Sequence, residues 1–241
     1  MNSYNIVSIS SVDSTNDYAL SLKKSKLFQE GLVIISDFQK HGRGQRGNVW
    51  ESAKGKNLLI SIVIEPNIPI EKQFDINKIV CLSVMDCLFS LGLASKIKWP
   101  NDILVNKRKI AGVLIQNIIS EDKICYSVIG VGLNVNQLVF EDYNPKATSL
   151  AIELNKNFTL KEVENLFLSS VKNRIKTYRS RKDMELEYLD ALFQINKVMV
   201  FKSNSQMFNG IIRNVNKKGF LVIETEDEIK HFGIKEIEMI F

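Results

Sequence analysis

Histidine, cysteine and proline are scarce in this 241-residue chain, at two, three and four residues. Cys81, Cys87 and Cys125 form no CxxC pair, and the two histidines, His41 and His231, lie far apart in sequence. A zinc site is therefore not expected, and an odd cysteine count argues against a disulfide framework. Long apolar runs are missing too. The longest uncharged stretch, residues 124–140, is broken by two glycines and several amides and is too short to span a bilayer. The opening MNSYNIVSIS has neither a charged n-region nor an apolar h-region. No export signal is expected, and the cytoplasm is the expected compartment. No block of one charge occurs either: 32 Lys and Arg against 27 Asp and Glu, net +5, are spread along the chain. That excess suits anionic small ligands and is weak evidence for nucleic acid.

What is present is ordinary globular composition, 45% hydrophobic and 24% charged, enough for a substantial core with a small satellite. Residues 6–9 read as a strand and 16–25 as a helix capped near Asp13 or Ser14. Residues 31–37 and 58–65 read as buried strands, 76–91 as a helix and 96–99 as extended chain. Residues 103–116 read as a hairpin turning at Asn106-Lys107-Arg108, and 126–135 as a further strand. Two charged helices follow, 159–178 and 184–193, then short alternating segments at 197–202, 208–214, 219–224 and 230–240. The pattern predicts an α+β fold: a mixed sheet flanked by helices over residues 1–194, and a small β-barrel over 195–241.

Several constellations carry chemistry. Lys98-Trp99-Pro100-Asn101-Asp102 cannot be helical, since proline lacks an N–H and biases its predecessor away from αR. It displays an amide and a carboxylate seven residues before Lys109, which opens an apolar strand. Lys109 can thus be fixed against a sheet, whereas Lys107 and Arg108 read as solvated charges at the hairpin tip. Asp102 suits a turn, a metal or a proton equally. Gly42-Arg43-Gly44-Gln45-Arg46-Gly47 follows a strand and can wrap backbone N–H groups around an anion. It is neither a Walker A loop nor a Rossmann fingerprint, and by itself a surface turn explains it equally well. Ser14-Thr15-Asn16 suits a helix cap and also the reading of a polar, uncharged headgroup. Gly130 to Asn136 (GVGLNVN) reads as a strand broken by glycines, for a bulge or for close approach of a ligand to bare backbone, with Asn134 projecting.

Taken in order, VDSTNDYA, GRGQRGNVW, KWPND, KIAGVLIQ and GVGLNVN resemble the linked motifs of the biotin–protein ligase family over essentially the whole chain. The resemblance implies a catalytic domain of class II aminoacyl-tRNA-synthetase-like type with a C-terminal SH3-like barrel. It implies ATP-dependent formation of biotinyl-5′-adenylate, then transfer of biotin to a lysine of a biotin carboxyl carrier protein. By position, Ser14, Thr15, Asn16, Gln39, Arg43, Gly44, Gln45, Lys109 and Gly112 would hold biotin. Gly42, Arg46, Trp50, Asn101, Lys109 and Asn134 would hold ATP or the adenylate. Lys109, Asp102 and Arg43 would be catalytic, with Asp102 also facing Mg²⁺ and serving as the base that frees the acceptor amine.

Two positions depart from the family pattern. Gln45 stands where many members carry Arg, and Gln116 where Glu is common. Weaker retention of the adenylate is the expectation, with Arg46 placed to compensate. Members that double as repressors carry an N-terminal winged helix, and the 13 residues before Ser14 are too few for one, so DNA binding is not expected. A strand edge would allow a homodimer. Lipoate–protein ligase and a non-catalytic biotin-binding module are the alternatives.

Overall fold

The computed structural model describes residues 3–180 and 184–240, Arg46 without its side chain. The chain runs β1 (Asn5–Ile9), α1 (Thr15–Ser21), β2 (Leu32–Ser36), β3 (Leu58–Ile64), β4 (Ile68–Pro69) and α2 (Gln73–Ser90). Then come β5 (Lys96–Lys98), β6 (Asp102–Val105), β7 (Arg108–Ser120), β8 (Lys123–Leu133), α3 (Leu150–Leu154), α4 (Leu160–Arg179) and α5 (Glu185–Ala191). The last segment holds β9 (Val198–Ser203), β10 (Gln206–Val215), β11 (Leu221–Glu224), β12 (Ile229–Phe232) and β13 (Glu238–Met239). Eight strands form one sheet in the order β1-β2-β3-β8-β7-β6-β5, with β4 beside β8. Among the described residues only the β1–β2 strand pair runs parallel; the other pairs are antiparallel.

Alternation along the strands gives this sheet two different faces. Leu58, Ile60 and Ile62 of β3 and Ile129 and Val131 of β8 point into a core shared with Val80 and Val84 of α2 and Phe167 of α4. On the other face a smaller cluster gathers Ala19 of α1 with Leu32, Ile34, Val63 and Val128. That face also presents the residues that break the apolar pattern: Ser61, Gly112, Gly130 and Gly132. α4 docks through Val163, Phe167, Val171 and Ile175, buried at i, i+4 spacing. Arg174 clamps it, its Nε 2.6 Å from Asp86 Oδ2 of α2 and its Nη2 2.6 Å from Glu187 Oε1 of α5.

The hairpin between β6 and β7 turns on Asn106 and Lys107, both at positive φ (48° and 64°), the two-residue turn that matches strand twist. Arg108 corrects the expectation of a solvated tip. Its Nη2 lies 2.7 Å from Glu153 Oε1, whose side chain is 3% exposed, so the guanidinium fixes α3 to the hairpin.

The last five strands form a second, antiparallel sheet, β12-β11-β10-β9-β13. The expected closed barrel is not found. β13 is two residues long, and among the described residues it pairs only with β9. The predicted strand 230–240 is split, because a turn with Lys235 at φ 70° separates β12 from β13. Stacked Phe201, Phe208 and Phe232 fill this sheet, with centroids 5.8 and 5.9 Å apart. Phe201, Ile212, Leu221 and Ile223 join the same buried core as the helix-covered face of the large sheet. Among the described residues no helix is long and apolar enough to cross a membrane.

Candidate active site

Over the open face of the large sheet, Ser14, Thr15 and Asn16 sit at the start of α1, each at most 4% exposed. Ser14 is the N-cap, its side chain accepting from Asp17 N. The other two belong to a buried polar net. Thr15 donates its N–H (2.8 Å) and its hydroxyl (3.0 Å) to Gln39 Oε1. Asn16 Nδ2 donates to Gln116 Oε1 at 2.8 Å. Ser61 Oγ, fully buried on β3, lies 2.6 Å from Asn16 Oδ1 and 2.7 Å from Thr15 Oγ1. Gly130 is required beneath, since a Cβ there would stand 2.5 Å from Asn16 Oδ1. These groups satisfy one another, so they hold their orientation without a ligand.

The glycine loop is a small closed hairpin: Arg43 bridges Val49, Gly44 N donates to Asn48 O at 2.7 Å, and Trp50 N to Gly42 O at 2.9 Å. Gly42 lies beneath the loop, where a Cβ would meet Trp50 O at 2.3 Å. Arg43 reaches Asp17 of α1, Nε to Oδ2 3.0 Å, which leaves its side chain on the rim, 61% exposed. Trp50 lays its indole on the sheet, and a Cβ on Gly132 would fall 2.2 Å from Cε2. Trp50 and Asn16 thus lie against the bare backbone of the glycine-broken strand, and Gly130 and Gly132 still line the first cavity described below. β8 runs through Gly130 and Gly132 with no bulge there.

Lys109 Nζ lies 2.6 Å from Asp102 Oδ1 and 5.5 Å from the centroid of the Trp50 ring. Lys98 Nζ stands 3.4 Å from Asp102 Oδ2. Two cavities meet at this cluster. The first, about 100 Å³, is lined by the Ser14–Asn16 group, Gln39, Arg43, Gly44, Gln45, Asn101 and Gly112. The second, about 410 Å³, is lined by Glu51, Lys98, Asn134, Phe140, Tyr143 and Pro145. Asn48, Val49, Trp50, Asp102 and Lys109 line both. Asn134 donates from Nδ2 to Thr148 O at 2.9 Å. Its buried Oδ1 and the buried Trp50 Nε1 have no hydrogen-bond partner among the described residues. Unpaired buried polar atoms at a cavity wall are costly unless a ligand satisfies them.

Of the residues expected at the site, all but Gly42 and Arg46 line one cavity or the other; the Arg46 side chain lies outside the described residues. Sequence reasoning missed Ser61, whose signal was a single hydroxyl in the otherwise apolar LLISIVI. It also missed Phe140, Tyr143 and Pro145, which belong to a loop without periodicity. Metal chemistry finds little support. Among the described residues no three His, Cys, Asp or Glu gather, and both Asp102 oxygens already face ammonium groups. A resident Mg²⁺ does not fit this donor set. Nor are Cys81 and Cys87 nucleophiles, because burial raises both thiol pKa values, that of Cys87 to about 12.

The fold is that of a protein ligase. A biotin protein ligase from Aquifex aeolicus, solved in complex with biotin and ATP, superposes with a TM-score of 0.78 at 26% identity, covering 98% of both chains. The profile of the biotin/lipoate A/B protein ligase family matches residues 8–134, more than half of the chain, and the chain belongs to that family. The bifunctional ligase/repressor BirA of Bacillus spizizenii is 28% identical over 217 residues, 87% of this chain and 66% of the relative. A biotin–[acetyl-CoA-carboxylase] ligase of Mycobacterium tuberculosis is 31% identical over 147 residues, 59% of this chain and 53% of the relative. The chain thus spans about two thirds of the length of the bacillary relative.

Proposed function

We propose that this chain is an ATP-dependent biotin–protein ligase whose acceptor is a biotin carboxyl carrier protein. The observation that carries the reading is the Lys109–Asp102 pair at the junction of the two cavities. Biotin occupies the first cavity, its ureido headgroup against Ser14, Thr15, Asn16 and Gln39, and its carboxylate at Lys109. The nucleotide occupies the second, with Trp50, Asn134 and Asn101 around it and its α-phosphate at the same lysine.

In the first step a biotin carboxylate oxygen attacks the α-phosphorus and the bond to pyrophosphate breaks. Two anions must approach, so the ammonium of Lys109, with Lys98 behind Asp102 and Arg43 at the rim, supplies the stabilisation. Magnesium belongs to the ATP substrate, held by its phosphates rather than by a protein cage, and no step is assigned to it. In the second step the acceptor lysine attacks the acyl carbon and AMP leaves. That amine, with an ordinary pKa of about 10.4, must shed a proton, and Asp102 is the carboxylate lining both cavities that is placed to take it. The Gly42–Trp50 hairpin, with Gln45, shields the mixed anhydride from water.

The family includes lipoate ligases, but a dithiolane offers no partners to a net of buried hydroxyls and amides, which favours biotin. Residues 195–241 are read as an SH3-like unit that follows a catalytic domain of residues 1–194 and packs on the same core. The support is a meander whose last strand returns beside its first, β13 on β9. The cytoplasm and a homodimer through an unpaired edge strand complete the proposal. Labelled biotin, ATP, magnesium and a purified carrier domain test it: label should reach the carrier only when ATP is present. Transfer without ATP, or labelled lipoate used in preference, would overturn it.

A further inference from the structure

The three-residue turn Trp99-Pro100-Asn101 joins β5 to β6, directly before Asp102. It is held from three directions. Asn77 of α2, buried, donates from Nδ2 to Pro100 O at 2.6 Å. Asn101 donates from its amide to Val113 O of β7, and Val113 N returns a bond to Asn101 O at 3.1 Å. The third tie leaves the large sheet altogether. Trp99 Nε1, on a ring 5% exposed, donates to Gly219 O at 3.0 Å.

Gly219 belongs to the turn between β10 and β11 of the second sheet. Its φ is +88°, and a Cβ there would lie 2.5 Å from the Phe74 ring of α2, so only glycine brings this carbonyl so close to the turn. Asn216 shapes the loop, its Oδ1 accepting from Lys218 N (3.0 Å) and Phe220 N (3.1 Å). From these contacts we infer that the second sheet positions the reacting groups: the Gly219 carbonyl, through Trp99, sets the backbone from which Asp102 meets Lys109. Trp99 and Gly219 are positioning residues and touch neither substrate. The inference rests on the ligase reading for what Asp102 and Lys109 do, and supplies a use for the C-terminal strands that this reading leaves without one.

The test is Trp99→Phe, which keeps a ring in the pocket and removes the donor. Misplacement of the pair by a fraction of an ångström should lower kcat for adenylation and for transfer about tenfold, with the KM for biotin within twofold of wild type, since the headgroup net is untouched. Asn216→Ala, outside the core, should shift kcat the same way by a smaller factor. Wild-type kcat in both variants, or kcat and biotin KM worsening together with a falling melting temperature, would overturn the inference. A wild-type protein that forms no biotinyl-adenylate would instead sink the ligase reading, so the two failures are distinguishable.

Discussion

The cavity beside α1 is small and reaches the self-satisfied net of Ser14, Thr15, Asn16 and Gln39, whereas its neighbour is about four times larger and adds Lys98, Glu51 and the unpaired Oδ1 of Asn134; Asp102, Lys109 and Trp50 stand in the wall of both. The difference separates recognition from chemistry. A neutral headgroup is read by pre-oriented dipoles, which cost nothing to organise at the moment of binding. Charge developing on phosphate and carboxylate needs fixed cations, and these stand where the two cavities join. Specificity and rate should therefore respond to different substitutions.

The largest effect should come from Lys109→Ala. Removing the shared ammonium should cut adenylate formation by about 10²- to 10³-fold, while labelled biotin still binds, because the headgroup net remains. A non-catalytic binding module would bind biotin in both proteins and form no adenylate in either. Ser61→Ala sharpens the other half of the contrast. Asn16 Oδ1 would lose its donor in a buried setting, and the dissociation constant for biotin should rise about tenfold with kcat nearly unchanged; equilibrium titration and steady-state kinetics separate the two. A smaller, few-fold change is expected from Gln45→Arg, which adds a permanent cation to the first cavity. Release of biotinyl-adenylate, followed by filtration, should slow, and an unchanged rate would remove the idea that Gln45 loosens retention.

The smallest effect concerns the scaffold under both cavities. The Arg174 guanidinium hydrogen-bonded to Glu187 holds that carboxyl below its usual pKa. Its contribution is present above the unfolded carboxylate pKa and is lost as pH falls through the lower folded value. Glu187→Gln should therefore melt slightly earlier at neutral pH and approach wild type in acid, with both activities intact.

Much of this was legible in the chain. Continuous apolar runs located β2 and β3, β-branched residues located β8, alternation after Lys109 located the start of β7, and the Trp-Pro pair marked the turn before Asp102, because all depend on local rules. What escaped depends on tertiary context. Nothing near Arg108 in sequence announces Glu153, 45 residues on, and α3 is too short to carry a periodic signal. The run 230–240 alternates like one strand although Gly233 and Lys235 turn the chain inside it. Gly130 and Gly132 were read as a bulge or as room for a ligand on bare backbone; there is no bulge, and both line the first cavity while also seating Asn16 and Trp50, a pairing across more than 80 residues that no local pattern encodes.

The central claim is that one ammonium serves two substrates at the cavity junction. Biotin-dependent exchange of labelled pyrophosphate into ATP tests it without any acceptor protein. The account predicts robust exchange in the wild type, none without biotin, and near-complete loss in Lys109→Ala despite retained biotin binding. Exchange that is indifferent to biotin, or that survives in Lys109→Ala, would contradict it.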